Sequence, residues 1–92
     1  MSLIVLPERL LPWAATGFDA LSEADFAVFL DLGLEVLVLG TGMKQRFPHP
    51  KLTCALLERR IGVEAMDLRA ACRTYNILMA EERNVVAAVL VG

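Results

Sequence analysis

Val36-Leu37-Val38-Leu39, followed at once by Gly40-Thr41-Gly42, decides the fold of this chain. A run that is apolar at every position does not read as a strand with one wet face. It reads as a central strand covered on both faces, which needs helices on each side of a sheet. The rest of the sequence supplies them. Downstream, Met43 to His49 is a polar, basic connection. Pro50 then suits a first helical position, and Leu52, Ala55, Leu56 and Arg59 recur at helical spacing until Ile61 and Gly62 close the segment. Val63 to Met66 reads as a short strand. Asp67 caps a third helix with an apolar stripe of Ala71, Cys72, Tyr75, Leu78 and Met79. Val85 to Val91 reads as a final buried strand.

Upstream, Ser22 opens a helix. Asp25 stands three residues on to answer the cap, Leu21 is placed to pack on Phe26, and Gly33 is placed to end the segment. Leu3 to Leu6 is an apolar run stopped by Pro7, and Pro12-Trp13 begins a loop to Gly17 whose indole covers the core. The order β-α-β-α-β-α-β predicts an α/β fold: a layered single domain around a mixed, largely parallel sheet with right-handed crossovers.

Composition agrees. Of the 92 residues, 57% are hydrophobic and 22% charged. That excludes disorder and demands a core. A chain of this length buries only about 60–65% of its unfolded surface, so part of the apolar excess stays outside. An exposed apolar patch and self-association are therefore expected. The net charge of −2 argues against nucleic acid as a partner. The charge is uneven: residues 1–35 carry −5, 36–73 carry +4 and 74–92 carry −1. No apolar run approaches the roughly 20 residues of a membrane span. Cys54 and Cys72 lack CxxC spacing, and the chain start lacks a leader pattern. A reducing, cytoplasmic setting is expected, with both thiols as small buried apolar groups.

The sequence offers few candidates for chemistry. Gly40-Thr41-Gly42 follows a central strand, where open α/β sheets bind ligands, and its glycines allow close approach to backbone. Gln45 stands where a dinucleotide motif needs a small residue, so a nucleotide fingerprint is incomplete. The second candidate is the helix start at Asp67, with Arg73 and Asn76 further along. If the two strands are parallel neighbours, the turn and the helix start flank one crevice, and Gly40, Thr41, Gly42, Asp67, Arg73 and Asn76 are its candidate residues for a small anionic ligand. The plainer reading makes these a tight turn, a cap, a surface charge and a loop contact. No catalytic set emerges, no metal-ligand spacing surrounds the lone His49, and no cofactor is implied.

Leu37-Val38-Leu39-Gly40-Thr41-Gly42, Ile61-Gly62-Val63-Glu64-Ala65-Met66-Asp67, Ala70-Ala71-Cys72-Arg73-Thr74-Tyr75-Asn76-Ile77-Leu78 and Glu81 to Arg83 resemble the Mth938-like domain family. This family is catalogued as of unknown function, and its relatives include a mitochondrial factor for assembly of respiratory complex I. The resemblance implies a layered α/β domain over residues 1–92, without the N-terminal strands that other members carry. It also implies a non-catalytic interaction or assembly-factor-like module with a protein partner. Two positions depart from the family pattern. Leu68 stands where Thr is frequent, and Glu82 stands where Gly is frequent, so Asn84 is expected to take the left-handed turn.

Overall fold

The computed structural model describes residues 2–90, so Val91, which the sequence reading adds to the last strand, lies outside the described residues. Five strands form one sheet: β1 (Ser2–Leu6), β2 (Arg9–Pro12), β3 (Val36–Gly40), β4 (Gly62–Met66) and β5 (Val85–Leu90). Their spatial order is β2-β1-β5-β3-β4. Strand β3 runs parallel to β4 and β5, whereas β1 runs antiparallel to β2 and β5. Four of the five strands therefore share one direction and β1 alone opposes them, which makes a mixed sheet.

Three helices cover it: α1 (Glu23–Ala27), α2 (Pro50–Glu58) and α3 (Leu68–Ala80). The strand period of two sends alternate residues of β3 and β5 to opposite faces. Leu37, Leu39, Val86, Ala88 and Leu90 join Phe26, Phe29 and Leu56 in one core beneath α1 and α2. Val36, Val38, Val85, Ala87 and Val89 join Ala71 and Tyr75 in a second core beneath α3. Two cores, one sheet and helices on both sides make a three-layer α/β/α domain, as the reading of Val36 to Leu39 requires.

The observed order carries one strand more than β-α-β-α-β-α-β. Strand β2 pairs with β1 through a two-residue Pro7-Glu8 turn, with Leu6 opposite Arg9 and Leu3 opposite Pro12. The sequence hides it for two reasons. Two-residue hairpins usually announce themselves with Asn-Gly or Gly-X, and Arg-Leu-Leu-Pro has no β-branched residue.

Local chemistry explains the helix boundaries. The Asp25 carboxylate accepts from the Ser22 N–H at 3.0 Å, which starts α1. The helix itself ends early, and single turns carry the chain from Phe29 to Leu32 before Gly33, at φ 66°, reverses it. His49 caps α2 by accepting from the Lys51 N–H at 3.2 Å, with Pro50 in the first turn. The reversal after α2 falls on Arg60, at φ 62°, and Gly62 is already the first residue of β4. After α3 the left-handed residue is Glu82, at φ 61°, so Asn84 does not take that role.

Trp13 is buried, as expected of its indole. Its Nε1–H donates to the Asp25 carbonyl at 2.9 Å, and its ring meets Phe26 and Phe29 edge-on, with centroids 5.9 and 5.6 Å away. Aromatic geometry and a satisfied indole together tie the loop after β2 onto α1.

Candidate functional site

The turn after β3 and the start of α3 do adjoin. The Thr41 N–H donates to the Met66 carbonyl at 2.8 Å, and the Leu68 N–H donates to the Gly42 carbonyl at 2.7 Å. Asp67 accepts from the Ala70 N–H at 2.8 Å through Oδ1. Two first-turn donors of α3 are therefore engaged inside the protein. Thr41 Oγ1 lies within hydrogen-bond distance of the Lys44 and Met66 carbonyls and accepts from the Arg46 N–H at 3.1 Å. Gly40, Thr41 and Gly42 are all buried.

Each glycine has a local physical reason. A Cβ at Gly40 would lie 3.1 Å from the Ala71 Cβ and 3.1 Å from a Val89 methyl, so its hydrogen lets α3 settle onto the sheet. Gly42 has φ 85°, a conformation costly for other residues. Arg73 and Asn76 are exposed on α3, one and two turns beyond its start, and Arg73 makes no ion pair among the described residues. The structure thus brings Gly40, Thr41, Gly42 and Asp67 into one bonded junction. Arg73 and Asn76 sit along the helix that leaves it.

Two grooves lie elsewhere. One of ≈420 Å³ runs between α1 and α2 over Phe26, Leu30 and Leu52, and its rim includes Cys54. The other, ≈540 Å³, lies between α2 and the outer edge of β4 and is lined by Phe47, Pro48, Leu57, Val63 and Ala65 among others. Phe47 is 73% exposed and Leu57 55% exposed, so two large apolar side chains stand in solvent beside an edge strand. The connection that carries Phe47 is held in place. Arg46 pairs with Asp19 at 2.7 Å, and its guanidinium lies 4.1 Å from the Phe18 ring centroid. Gln45 Nε2 donates to the Ala65 carbonyl at 3.2 Å, bracing the same loop against β4. Phe47 falls within the polar, basic connection of residues 43–49. Its place beside an edge strand follows from strand order, which periodicity does not report.

Both cysteines are exposed free thiols, contrary to their reading as buried apolar groups. On α3 the buried line runs through Ala71 and Tyr75, and Cys72, one position on, is turned roughly 100° away. Cys54 Sγ lies 3.6 Å from Glu58 Oε1, and the hydrogen bond to that carboxylate and its charge push the thiol pKa upward. The Glu35 carboxyl is held below its ordinary value, first by the Asn84 N–H and then by Arg83, at 3.2 and 3.1 Å. Tyr75 carries a buried hydroxyl with no partner, and burial pushes its pKa up. Among the described residues no three His, Cys, Asp or Glu side chains converge as metal ligands, and no helix is long and apolar enough to cross a membrane.

Fold and surface together define a small three-layer α/β domain whose open features are surface grooves. The chain belongs to the family described as protein of unknown function (DUF498/DUF598), whose sequence profile matches residues 1–90. It is 34% identical over 89 residues to the mouse (Mus musculus) protein named NADH dehydrogenase (ubiquinone) 1 alpha subcomplex assembly factor 3, covering 95% of this chain and 48% of that protein. The zebrafish (Danio rerio) protein of the same name is 36% identical over 88 residues, covering 94% and 51%. The chain spans about half the length of these curated relatives.

Among solved structures, a Xanthomonas campestris protein determined by NMR superposes with a TM-score of 0.89 at 41% identity, covering 99% of this chain and 70% of that one. A Bordetella pertussis protein described as a Mth938-like domain gives 0.81 at 33% identity, covering 97% and 72%. The Mth938-like resemblance read from the sequence therefore holds, as does its mixed α/β layered fold.

Proposed function

We propose that this chain, as one Mth938-like domain over residues 1–92, is a non-catalytic protein-interaction module of the assembly-factor kind, working in the cytoplasm. One observation carries the reading: Phe47 and Leu57 stand largely exposed along a ≈540 Å³ groove beside an edge strand. Apolar side chains held outside a core lose free energy in water and regain it when a partner covers them. The names of the curated relatives support a role in assembly. The two free thiols suit a reducing compartment. The net positive charge of residues 36–73 would draw an acidic partner from a distance, with packing in the groove setting how long it stays. Affinity purification of the tagged protein at low salt tests this. Reproducible enrichment of one partner, lost in a Phe47→Ser, Leu57→Ser double variant, is expected, and no enrichment of any protein contradicts it.

A second reading keeps Gly40, Thr41, Gly42, Asp67, Arg73 and Asn76 as a site for a small anionic ligand. The exposed Arg73 guanidinium, in no ion pair among the described residues and on the helix that leaves the junction, favours it. Thermal unfolding of wild type and Arg73→Ala with a panel of anionic metabolites decides it, because a ligand that binds only the folded state raises the melting temperature. A shift seen in wild type and lost in the variant supports the site.

A further inference from the structure

Strand β4 ends the sheet on one side and β2 ends it on the other, and the two edges are not equivalent. On β2, the Trp13 N–H donates inward to the Ser2 carbonyl, so by alternation Leu10 and Pro12 present their backbone outward. Pro12 has no N–H, and a proline on an outer edge blocks further pairing. On β4, the Gly62 N–H donates inward to Glu35 and the Met66 carbonyl accepts inward from Thr41. Gly62, Glu64 and Met66 therefore spend their backbone on β3, and Val63 and Ala65 turn theirs outward. Gln45 occupies the Ala65 carbonyl. Both outward N–H groups and the Val63 carbonyl have no partner among the described residues.

The side chains of β4 are divided as well. Val63 and Ala65 lie on the α2 face, beside the groove that Phe47 and Leu57 line. Glu64 lies on the opposite face, exposed and in no ion pair among the described residues. We propose that β4 takes up an extended segment of a partner protein as a sixth strand, with apolar side chains entering the groove against Phe47 and Leu57 and a basic side chain opposite Glu64. The inference rests on the partner-binding reading above and narrows it to one edge, where a single basic side chain of an otherwise acidic partner meets Glu64. Backbone bonds supply the attachment, and alternate side chains supply the selection.

Charge decides between this occupant and a second copy of the chain. Glu64 is the middle residue of Gly62–Met66, so two copies pairing antiparallel along the full strand would set Glu64 against itself. That position is a non-hydrogen-bonded pair, where side chains approach most closely and like charges repel. A lysine or arginine from a partner reverses the sign of the same term.

The test uses the whole ¹⁵N-labelled protein and three synthetic peptides. The first is acetyl-Thr-Val-Lys-Val-Thr-amide, the second carries Glu in place of Lys, and the third is the Lys peptide N-methylated on the bonds that would face β4. The lysine peptide should shift the Val63 and Ala65 amide signals and slow their exchange with solvent. The glutamate peptide should bind about two- to fivefold more weakly, and Glu64→Lys should invert that order. The N-methylated peptide should not bind. Unchanged Val63 and Ala65 amides at millimolar lysine peptide, or equal affinity for the two charged peptides, overturns the proposal. Self-association that protects these amides overturns it too. A partner recovered by affinity purification whose complex leaves both amides exchanging freely overturns strand addition while the partner-binding reading stands.

Discussion

Replacing Leu37 with alanine perturbs the middle of the account, because this side chain is wholly buried between the sheet and the helices α1 and α2. The substitution removes three carbons from the core. At about 0.8 kcal/mol per buried carbon, the lost transfer free energy is about 2.4 kcal/mol. The neighbours include β5 and two helices, which cannot all close on the gap, so a residual cavity raises the cost to roughly 3–4 kcal/mol. Urea unfolding followed by circular dichroism reads this as a lower midpoint at constant slope. The melting temperature should fall by roughly 12–30 °C at about 4–8 °C per kcal/mol for a domain of this size. Leu57→Ala serves as the control, since its half-exposed side chain should cost no more than about 1 kcal/mol. A Leu37→Ala cost below about 0.5 kcal/mol would place β3 on the surface and refute the layered arrangement.

Other substitutions report on local strain and charge. Glu82→Gly and Arg60→Gly should each stabilise by roughly 0.5–1 kcal/mol in the same urea experiment. Each relieves a left-handed backbone costing about 1–2 kcal/mol, less the entropy that glycine adds to the unfolded chain. Asn84→Gly should not stabilise. Tyr75→Phe removes a buried hydroxyl that no partner satisfies, so it should be neutral or stabilise by up to about 1 kcal/mol. Because the Glu35 carboxyl titrates below its unfolded value, it binds its proton more readily in the unfolded chain. Its stabilisation is therefore present above the ordinary carboxylate range and lost as pH falls through the lowered value. Glu35→Gln should flatten the acid limb of the stability profile, and an unchanged limb would contradict the contacts with Asn84 and Arg83.

Much of the fold was legible in the residues, for physical reasons that can be named. Val36 to Leu39 has no polar position, so two covered faces follow. Asp67 stands before an apolar stripe, so a capped helix follows, and Ser22 with Asp25 marks a helix start in the same way. The juxtaposition of Gly40 to Gly42 with Asp67 was also legible, since parallel neighbouring strands must open on one edge.

What the sequence withheld depends on partners distant along the chain. Strand β2 exists because β1 lies beside it, and its own four residues carry little strand propensity. That the Thr41 and Leu68 N–H groups are consumed within the junction depends on the register of β3 against β4. The exposure of Cys72 depends on a single step of helix rotation, finer than an apolar stripe resolves. Glu82 takes the left-handed turn although Asn84 is the better local candidate, because the Arg83 N–H closes onto the Leu78 carbonyl at 3.0 Å and fixes where the chain reverses. The edge of β4 emerges only once the strand order is known.

The most direct test of the partner-binding account places a photo-cross-linking amino acid at Phe47 and, in a separate variant, at Ile77, an exposed apolar position on α3. After irradiation in cell extract, the account predicts one protein adduct from position 47 and none from position 77. Adducts from position 77 alone, or from neither position, would contradict it.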